Sequence, residues 1–154
     1  MIRRAEPADR TAVEIIVAAA YAKYIERIGK PPGPMLDDYA ALIAARAVSV
    51  WTEPDSTITA VIVLLPKPDY LLLDNIAVHP DRQGQRVGRR LIAFAEAEAR
   101  RLGHTELRLY THATMTENIT LYRRLGFTET GRGAQAGYDR VFMTKHIEPE
   151  HDFP

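Results

Sequence analysis

Residues 70–90 constrain this chain more than any other stretch. An apolar run from Tyr70 to Val78 ends in His79-Pro80, passes through Asp81-Arg82-Gln83-Gly84-Gln85-Arg86-Val87-Gly88-Arg89-Arg90, and opens a helical pattern that continues to about Leu102. A strand that runs through such a turn into a helix leaves the first helical N–H groups without internal partners and pointing one way. That geometry receives anions. Each exposed contact of this kind is worth about 0.3–1 kcal/mol, so a ligand with several charges gains by meeting several at once, and a diphosphate is the natural guest. Arg82, Arg86, Arg89 and Arg90 add four cations with no acid between them. The same residues also suit an ordinary solvated helix start, and the turn alone does not decide between the two readings.

The rest of the chain narrows the choice. Its 154 residues suit one domain over 1–150 with a frayed tail at 151–154. Twenty basic residues balance twenty acidic ones, so global charge does not call for nucleic acid. The chain has no cysteine, which excludes a disulfide framework, a thiolate zinc site and a Cys nucleophile. The five histidines, at 79, 104, 112, 146 and 151, lack metal-ligand spacing, so no metal is expected. Met1-Ile2-Arg3-Arg4-Ala5-Glu6-Pro7 is not a signal peptide and no stretch is long and apolar enough for a membrane span, so the expected location is the cytoplasm, away from membranes.

Periodicity assigns the elements in order. Ile2 to Arg4 reads as a strand, and Val13, Ile16, Val17 and Ala20 recur at helical spacing. The stripe continues through Tyr21, Tyr24, Ile25 and Ile28 to Gly29, as one long helix or two short ones. Lys30 to Pro34 holds three prolines and reads as a rigid non-helical loop, followed by a helix from Asp37 or Asp38 to Ala47. Val48–Thr52, Thr57–Leu65 and Tyr70–Val78 form an antiparallel meander. The third run is almost wholly apolar and predicts a strand covered on both faces. Trp51 is expected in the core. In the helix that follows, Val87, Leu91, Ala95, Glu98 or Ala99, and Leu102 form a stripe ended by Gly103, and Thr105–Tyr110 returns as a strand parallel to its predecessor. Thr114-x-x-Glu117 fits a capping box for a helix to about Leu125. Phe127–Thr130 and Tyr138–His146 are the last strands, with the glycine-rich 131–137 read as a mobile loop.

Taken together, this order and two motifs resemble the GNAT N-acetyltransferase family, over nearly the whole chain. One motif is Ile76-Ala77-Val78-His79-Pro80 followed by Gln83-Gly84-Gln85-Arg86-Val87-Gly88, which sits on the family's Q/R-x-x-G-x-G/A loop. The other is Asn118-Ile119-Thr120-Leu121-Tyr122-Arg123-Arg124-Leu125-Gly126-Phe127, similar to N-x-x-x-x-Y-x-x-x-G-F. Arg86 departs from the pattern, standing where the family usually has its first glycine. A helical conformation there would cost arginine nothing, whereas a positive φ would; the helical one is expected.

The resemblance implies an α/β (α+β) fold, with a mixed, mostly antiparallel sheet of six or seven strands, flanked by helices and splayed between the fourth and fifth strands. It implies acetyl-CoA as cosubstrate, a primary amine of a small molecule or peptide as acceptor, direct attack in a ternary complex, and a homodimer by analogy. A non-catalytic acetyl-CoA-binding sensor of the same fold is the alternative. By the same resemblance the amides of Gln83, Gly84, Gln85, Arg86, Val87, Gly88 and Arg89 hold the pyrophosphate. The backbone of Ile76, Ala77 and Val78 pairs with the pantetheine arm, the side chains of Ile76 and Val78 being core. Asn118 bonds the pantetheine or orients its loop, and an N–H near Val78 meets the oxyanion.

A lysine-like amine of pKa about 10.4 is only about one part in a thousand neutral at pH 7, so a base helps; Asp74 is the candidate. By the same resemblance, Tyr122 would face the departing sulfur. A thiol near pKa 8.5 is a weaker base than a phenolate near 10, making full proton transfer uphill by about 2 kcal/mol. Tyr122 is therefore expected to donate a hydrogen bond to the thiolate. Tyr21, Tyr24, Met35 and Tyr39 are candidate walls of an acceptor pocket, with Asp37, Asp38 and Glu26 as attractors for a cation; tyrosines at helical spacing are also ordinary packing.

Overall fold

The computed structural model describes residues 1–84 and 86–149; the expectations for Gln85 and for the tail at 151–154 lie outside the described residues. These form β1 Ile2–Arg4, α1 Arg10–Tyr21, α2 Tyr24–Ile28, α3 Tyr39–Ala44, β2 Val48–Thr52, β3 Ile58–Pro66, β4 Leu71–Val78, α4 Val87–Arg101, β5 Glu106–His112, α5 Thr116–Arg124, β6 Thr128–Gln135 and β7 Tyr138–His146. The strands make one mixed sheet in the order β1-β2-β3-β4-β5-β7-β6. β4 and β5 are parallel, with Leu71 opposite Leu107 and Leu73 opposite Leu109, as the crossover through α4 requires. Two compact units share β4 and α4: Met1–Leu64 with Asp74–Leu91, and Leu65–Leu73 with Ile92 onward.

In the first unit the helical stripe of α1 is buried at Val13, Ile16, Val17 and Ala20. Ala22 and Lys23 separate α1 from α2, so two short helices form, and Gly29 ends the second at φ 87°. The proline loop is not wholly extended. Gly33–Leu36 makes a 3-10 turn with Pro34 in its first positions, where a missing N–H costs nothing. Asp38 caps α3, accepting the Ala41 N–H at 3.1 Å. The helix stops at Ala44, short of the expected Ala47, because Arg46 turns left-handed at φ 63° and the N–H groups of Arg46 and Ala47 close back on Ile43 and Leu42.

The strand covered on both faces is β3, where Thr59 to Leu64 are all buried. β4 instead alternates: Leu71, Leu73, Asn75 and Ala77 are buried, while Leu72, Asp74, Ile76 and Val78 are half-exposed. Ile76 and Val78 are therefore not core side chains. An apolar run marks burial of a strand but cannot say that both faces are covered, since half-exposed positions tolerate Ile and Val too.

In the second unit Leu107, Leu109, Val141 and Met143 point to one buried face of β5 and β7, and Ile92, Ala95 and Ala99 bury the α4 stripe. That stripe takes Ala99 and leaves Leu102 37% exposed; Gly103, at φ 76°, and His104 close the helix onto Arg100 and Ala99. The cap of α5 is not the expected threonine. Met115 occupies the cap without a side-chain bond, and Thr114 turns to His112, its Oγ1 lying 2.9 Å from Nδ1. The glycine-rich 131–137 is mostly strand. β6 runs to Gln135 against β7, and only Ala136 and Gly137 turn, with φ 52° and 82°, the two positive values of a two-residue hairpin. Main-chain pairing asks nothing of the side chains, so glycine at an edge does not prevent it.

Candidate functional site

The turn after β4 is built by short-range bonds. His79 Nδ1 accepts the Asp81 N–H at 3.1 Å and opens the 3-10 turn Pro80–Arg82. The Gln83 side chain then donates to the Val78 carbonyl at 3.2 Å, tying the turn back to the end of β4. Gly84 has φ 84° and Arg86 φ 64°. The helical conformation expected of Arg86 is thus not observed: it sits in the left-handed region, where a Cβ costs about 1–2 kcal/mol, which accounts for glycine being usual there. Two left-handed residues within three positions turn the chain sharply into α4. Val87, buried, anchors the helix start, and the first helical amide with a described main-chain acceptor is Arg90, bonded to the Arg86 carbonyl at 3.2 Å. A Cβ built on Gly88 would meet nothing within 4 Å, so the outer side of the first helical turn is open.

The four arginines divide. Arg82 Nε lies 3.2 Å from Glu53 Oε1, and the Arg90 guanidinium stands 5.4 Å over the ring of Trp51, which is half-exposed and not in the core as expected. Arg86 and Arg89 are exposed, as is Arg90.

Asn75 was not anticipated. It is 2% exposed, and its Nδ2 donates to the Tyr39 hydroxyl at 2.8 Å. That hydroxyl donates to the Pro34 carbonyl at 2.6 Å. The Tyr21 hydroxyl lies 2.7 Å from Asn75 Oδ1 and 2.8 Å from the Ile76 carbonyl. Burial, with the negative charges of Asp37 and Asp74, pushes Tyr39 well above the usual phenol range, so it remains a donor. The signal in the sequence was a lone amide inside an apolar strand. Tyr21, Tyr24 and Tyr39 are all buried, Lys23 and Arg27 lying over the Tyr24 ring. Met35 is half-buried, and Asp37, Asp38 and Glu26 are exposed.

The first unit therefore holds Asp74, Ile76 to Val78, the turn through Arg89, and the tyrosines. Tyr122 and Asn118 belong to the second. Tyr122 lies on the buried side of α5, 8% exposed, its ring 5.6 Å from that of Phe127 and inclined to it by 66°. Asn118 is half-exposed, its Nδ2 3.7 Å from the sulfur of Met115. Chemically, the described site offers helix-start amides, three exposed cations and a half-exposed strand bearing a carboxylate.

Known proteins resemble this chain in sequence and fold. The model of the acetyltransferase (GNAT) domain matches residues 45–129, from before β2 into β6. An IAA acetyltransferase of Azospirillum brasilense is 39% identical over 72 residues, 46% of this chain and 47% of that one. The L-methionine sulfoximine/L-methionine sulfone acetyltransferase of Salmonella typhimurium is 32% identical over 91 residues, covering 55% and 53%. The matched part thus spans about half the length of these curated relatives. The ribosomal-protein-S18-alanine N-acetyltransferase of Escherichia coli superposes with a TM-score of 0.76 at 25% identity, over 99% of this chain and 96% of that one. The PaiA N-acetyltransferase of Thermoplasma acidophilum, solved with coenzyme A, shares the fold with a TM-score of 0.80 at 18% identity, over 96% and 98%. Since the matched domain takes in more than half of the chain, including the whole stretch from β4 through the left-handed turn to α5, this protein belongs to the GNAT acetyltransferase family.

Proposed function

We propose that this protein transfers the acetyl group of acetyl-CoA to a primary amine of a small molecule or peptide, in a ternary complex. The observation that carries the reading is the turn between β4 and α4, where Gly84 and Arg86 in left-handed conformations deliver the chain to an open helix start flanked by exposed Arg86 and Arg89. Gln83 to Arg89 would hold the pyrophosphate, and the main chain of Ile76 to Val78 would pair with the pantetheine arm as an added strand. The half-exposure of Ile76 and Val78 supports this, because a ligand lying along that strand would cover them. Asn118 would steady the same arm.

Acetyl-CoA, when bound, supplies the thioester, and coenzyme A leaves as the thiol. Asp74, half-exposed at the head of this segment, would take a proton from the incoming ammonium, directly or through water. Tyr122 would donate a hydrogen bond to the departing thiolate, and an N–H near Val78 would meet the oxyanion. Met35, in the turn whose Pro34 carbonyl accepts the Tyr39 hydroxyl, would lie against the acceptor, with exposed Asp37, Asp38 and Glu26 drawing in its charge. A cytoplasmic location and a homodimer are part of the same proposal.

Mixing the protein with acetyl-CoA and a panel of amines, and following free thiol, tests the reading. Thiol release that depends on the amine is expected. No stabilisation by coenzyme A at millimolar concentration and no release with any amine would overturn it.

A further inference from the structure

A buried amide in the middle of a strand needs partners, and Asn75 has drawn both of its partners from outside the sheet. Its Nδ2 is held by Tyr39, which reaches on to the Pro34 carbonyl in the 3-10 turn Gly33–Leu36. Its Oδ1 faces Tyr21, whose hydroxyl lies almost as close to the main-chain carbonyl of Ile76. A phenol has one proton. Tyr21 can therefore donate to Asn75 or to Ile76, but not fully to both, and the choice is a two-state element between two features of the same unit. One is the strand segment assigned above to the pantetheine arm. The other is the turn that carries Met35.

We infer that Asn75, Tyr21 and Tyr39 are positioning residues that couple the main chain of Ile76 to the Gly33–Leu36 turn. This rests on the acetyl-CoA reading. A ligand amide that donates to the Ile76 carbonyl competes with Tyr21 there and shifts the phenol proton to Asn75 Oδ1. Accepting it strengthens the polarisation of the amide and the bond that Nδ2 makes to Tyr39, which in turn sharpens the bond from Tyr39 to Pro34. Occupation of the strand thus tightens the turn, and by linkage a ligand that steadies the turn raises affinity at the strand by the same factor. No covalent step is involved. The persistent protonation of Tyr39 in its buried setting keeps the chain directional, since a phenolate could not donate to Pro34. An amide serves at position 75 because its Nδ2 donates to one tyrosine while its Oδ1 accepts from the other.

Amide hydrogen exchange at Met35 to Asp38, with and without saturating coenzyme A, tests the coupling, with calorimetry on the same samples to report binding. In the intact protein those amides should exchange at least about fivefold more slowly once coenzyme A is bound, the lower range of ordinary coupling factors. Tyr39→Phe and Asn75→Leu should abolish the slowing while coenzyme A still binds. A merely structural network would behave otherwise, with faster exchange in the variants but an unchanged response to the ligand, and that pattern overturns the inference. So does an intact protein that binds coenzyme A with no change at Met35 to Asp38. Failure to bind coenzyme A at all would show instead as a flat calorimetric trace, and removes the acetyl-CoA reading together with the coupling.

Discussion

Arg82 Nε lies 3.2 Å from Glu53 Oε1, and the same oxygen accepts the Thr59 hydroxyl at 3.0 Å, so the first arginine after β4 pins the turn to the β2–β3 connection. Arg90 is also engaged, over Trp51. The cations left for a ligand are Arg86 and Arg89. Replacing Arg89 by alanine should weaken coenzyme A binding about three- to tenfold, the size of one charge-assisted contact at a partly exposed site. Arg90→Ala should weaken it less. Calorimetric titration at low and high salt checks this, and the difference between the variants should shrink as salt screens the phosphate.

Arg86 gives a sharper test, because conformation and charge pull apart. Arg86→Gly relieves a left-handed arginine at φ 64° and should raise stability by up to about 1 kcal/mol, while removing the proposed phosphate contact and so lowering affinity for coenzyme A. A thermal melt without ligand and a titration with it should move in opposite directions.

At Gly88 the space beside the Cα is open and the backbone is helical. Gly88→Leu should leave the melting temperature equal or higher, since glycine costs a helix roughly 0.8–1 kcal/mol. Coenzyme A affinity should fall tenfold or more, because the side chain would occupy the approach proposed for the diphosphate. A variant that melts normally and binds normally would place the diphosphate elsewhere.

Tyr122→Phe keeps the ring that packs against Phe127 and removes only the hydroxyl. The expected result is a kcat lowered by about ten- to a hundredfold, the scale of one proton-handling group, with coenzyme A affinity nearly unchanged. Wild-type turnover would remove the role assigned to the phenol.

Asp9 accepts both Arg3 nitrogens, at 2.7 and 3.0 Å, and the Glu6 N–H at 2.7 Å; the Arg3 bond, above all, holds its carboxyl below the usual carboxylate range. A depressed folded-state pKa contributes stability that is complete above the unfolded value, near pH 4, and is lost as pH falls through the folded one. Asp9→Asn should therefore melt lower at neutral pH and follow a flatter acid limb below about pH 4. Parallel acid limbs for the two proteins would contradict the assignment.

Much of this molecule was legible in its sequence, because the repeats that define elements are local. Val13, Ile16, Val17 and Ala20 recur at the pitch of a helix, the Gln83–Gly88 turn follows an apolar strand, and Leu107 and Leu109 alternate. Each is dictated by backbone geometry within a few residues, so the mixed sheet and the turn before α4 could be placed before any coordinates. Tertiary structure decided what depends on residues far apart in the chain. It made β3 the strand buried on both faces and left Ile76 and Val78 half-exposed, since coverage belongs to whatever packs above a strand. It turned the glycine-rich 131–137 into a paired edge because β7 supplied hydrogen-bonding partners. It placed Arg86 in a left-handed conformation that its side chain disfavours, the surrounding turn imposing what local preference would refuse. It also gave Asn75 its meaning, since an amide in an apolar strand acquires a purpose only when tyrosines 54 and 36 residues away reach it.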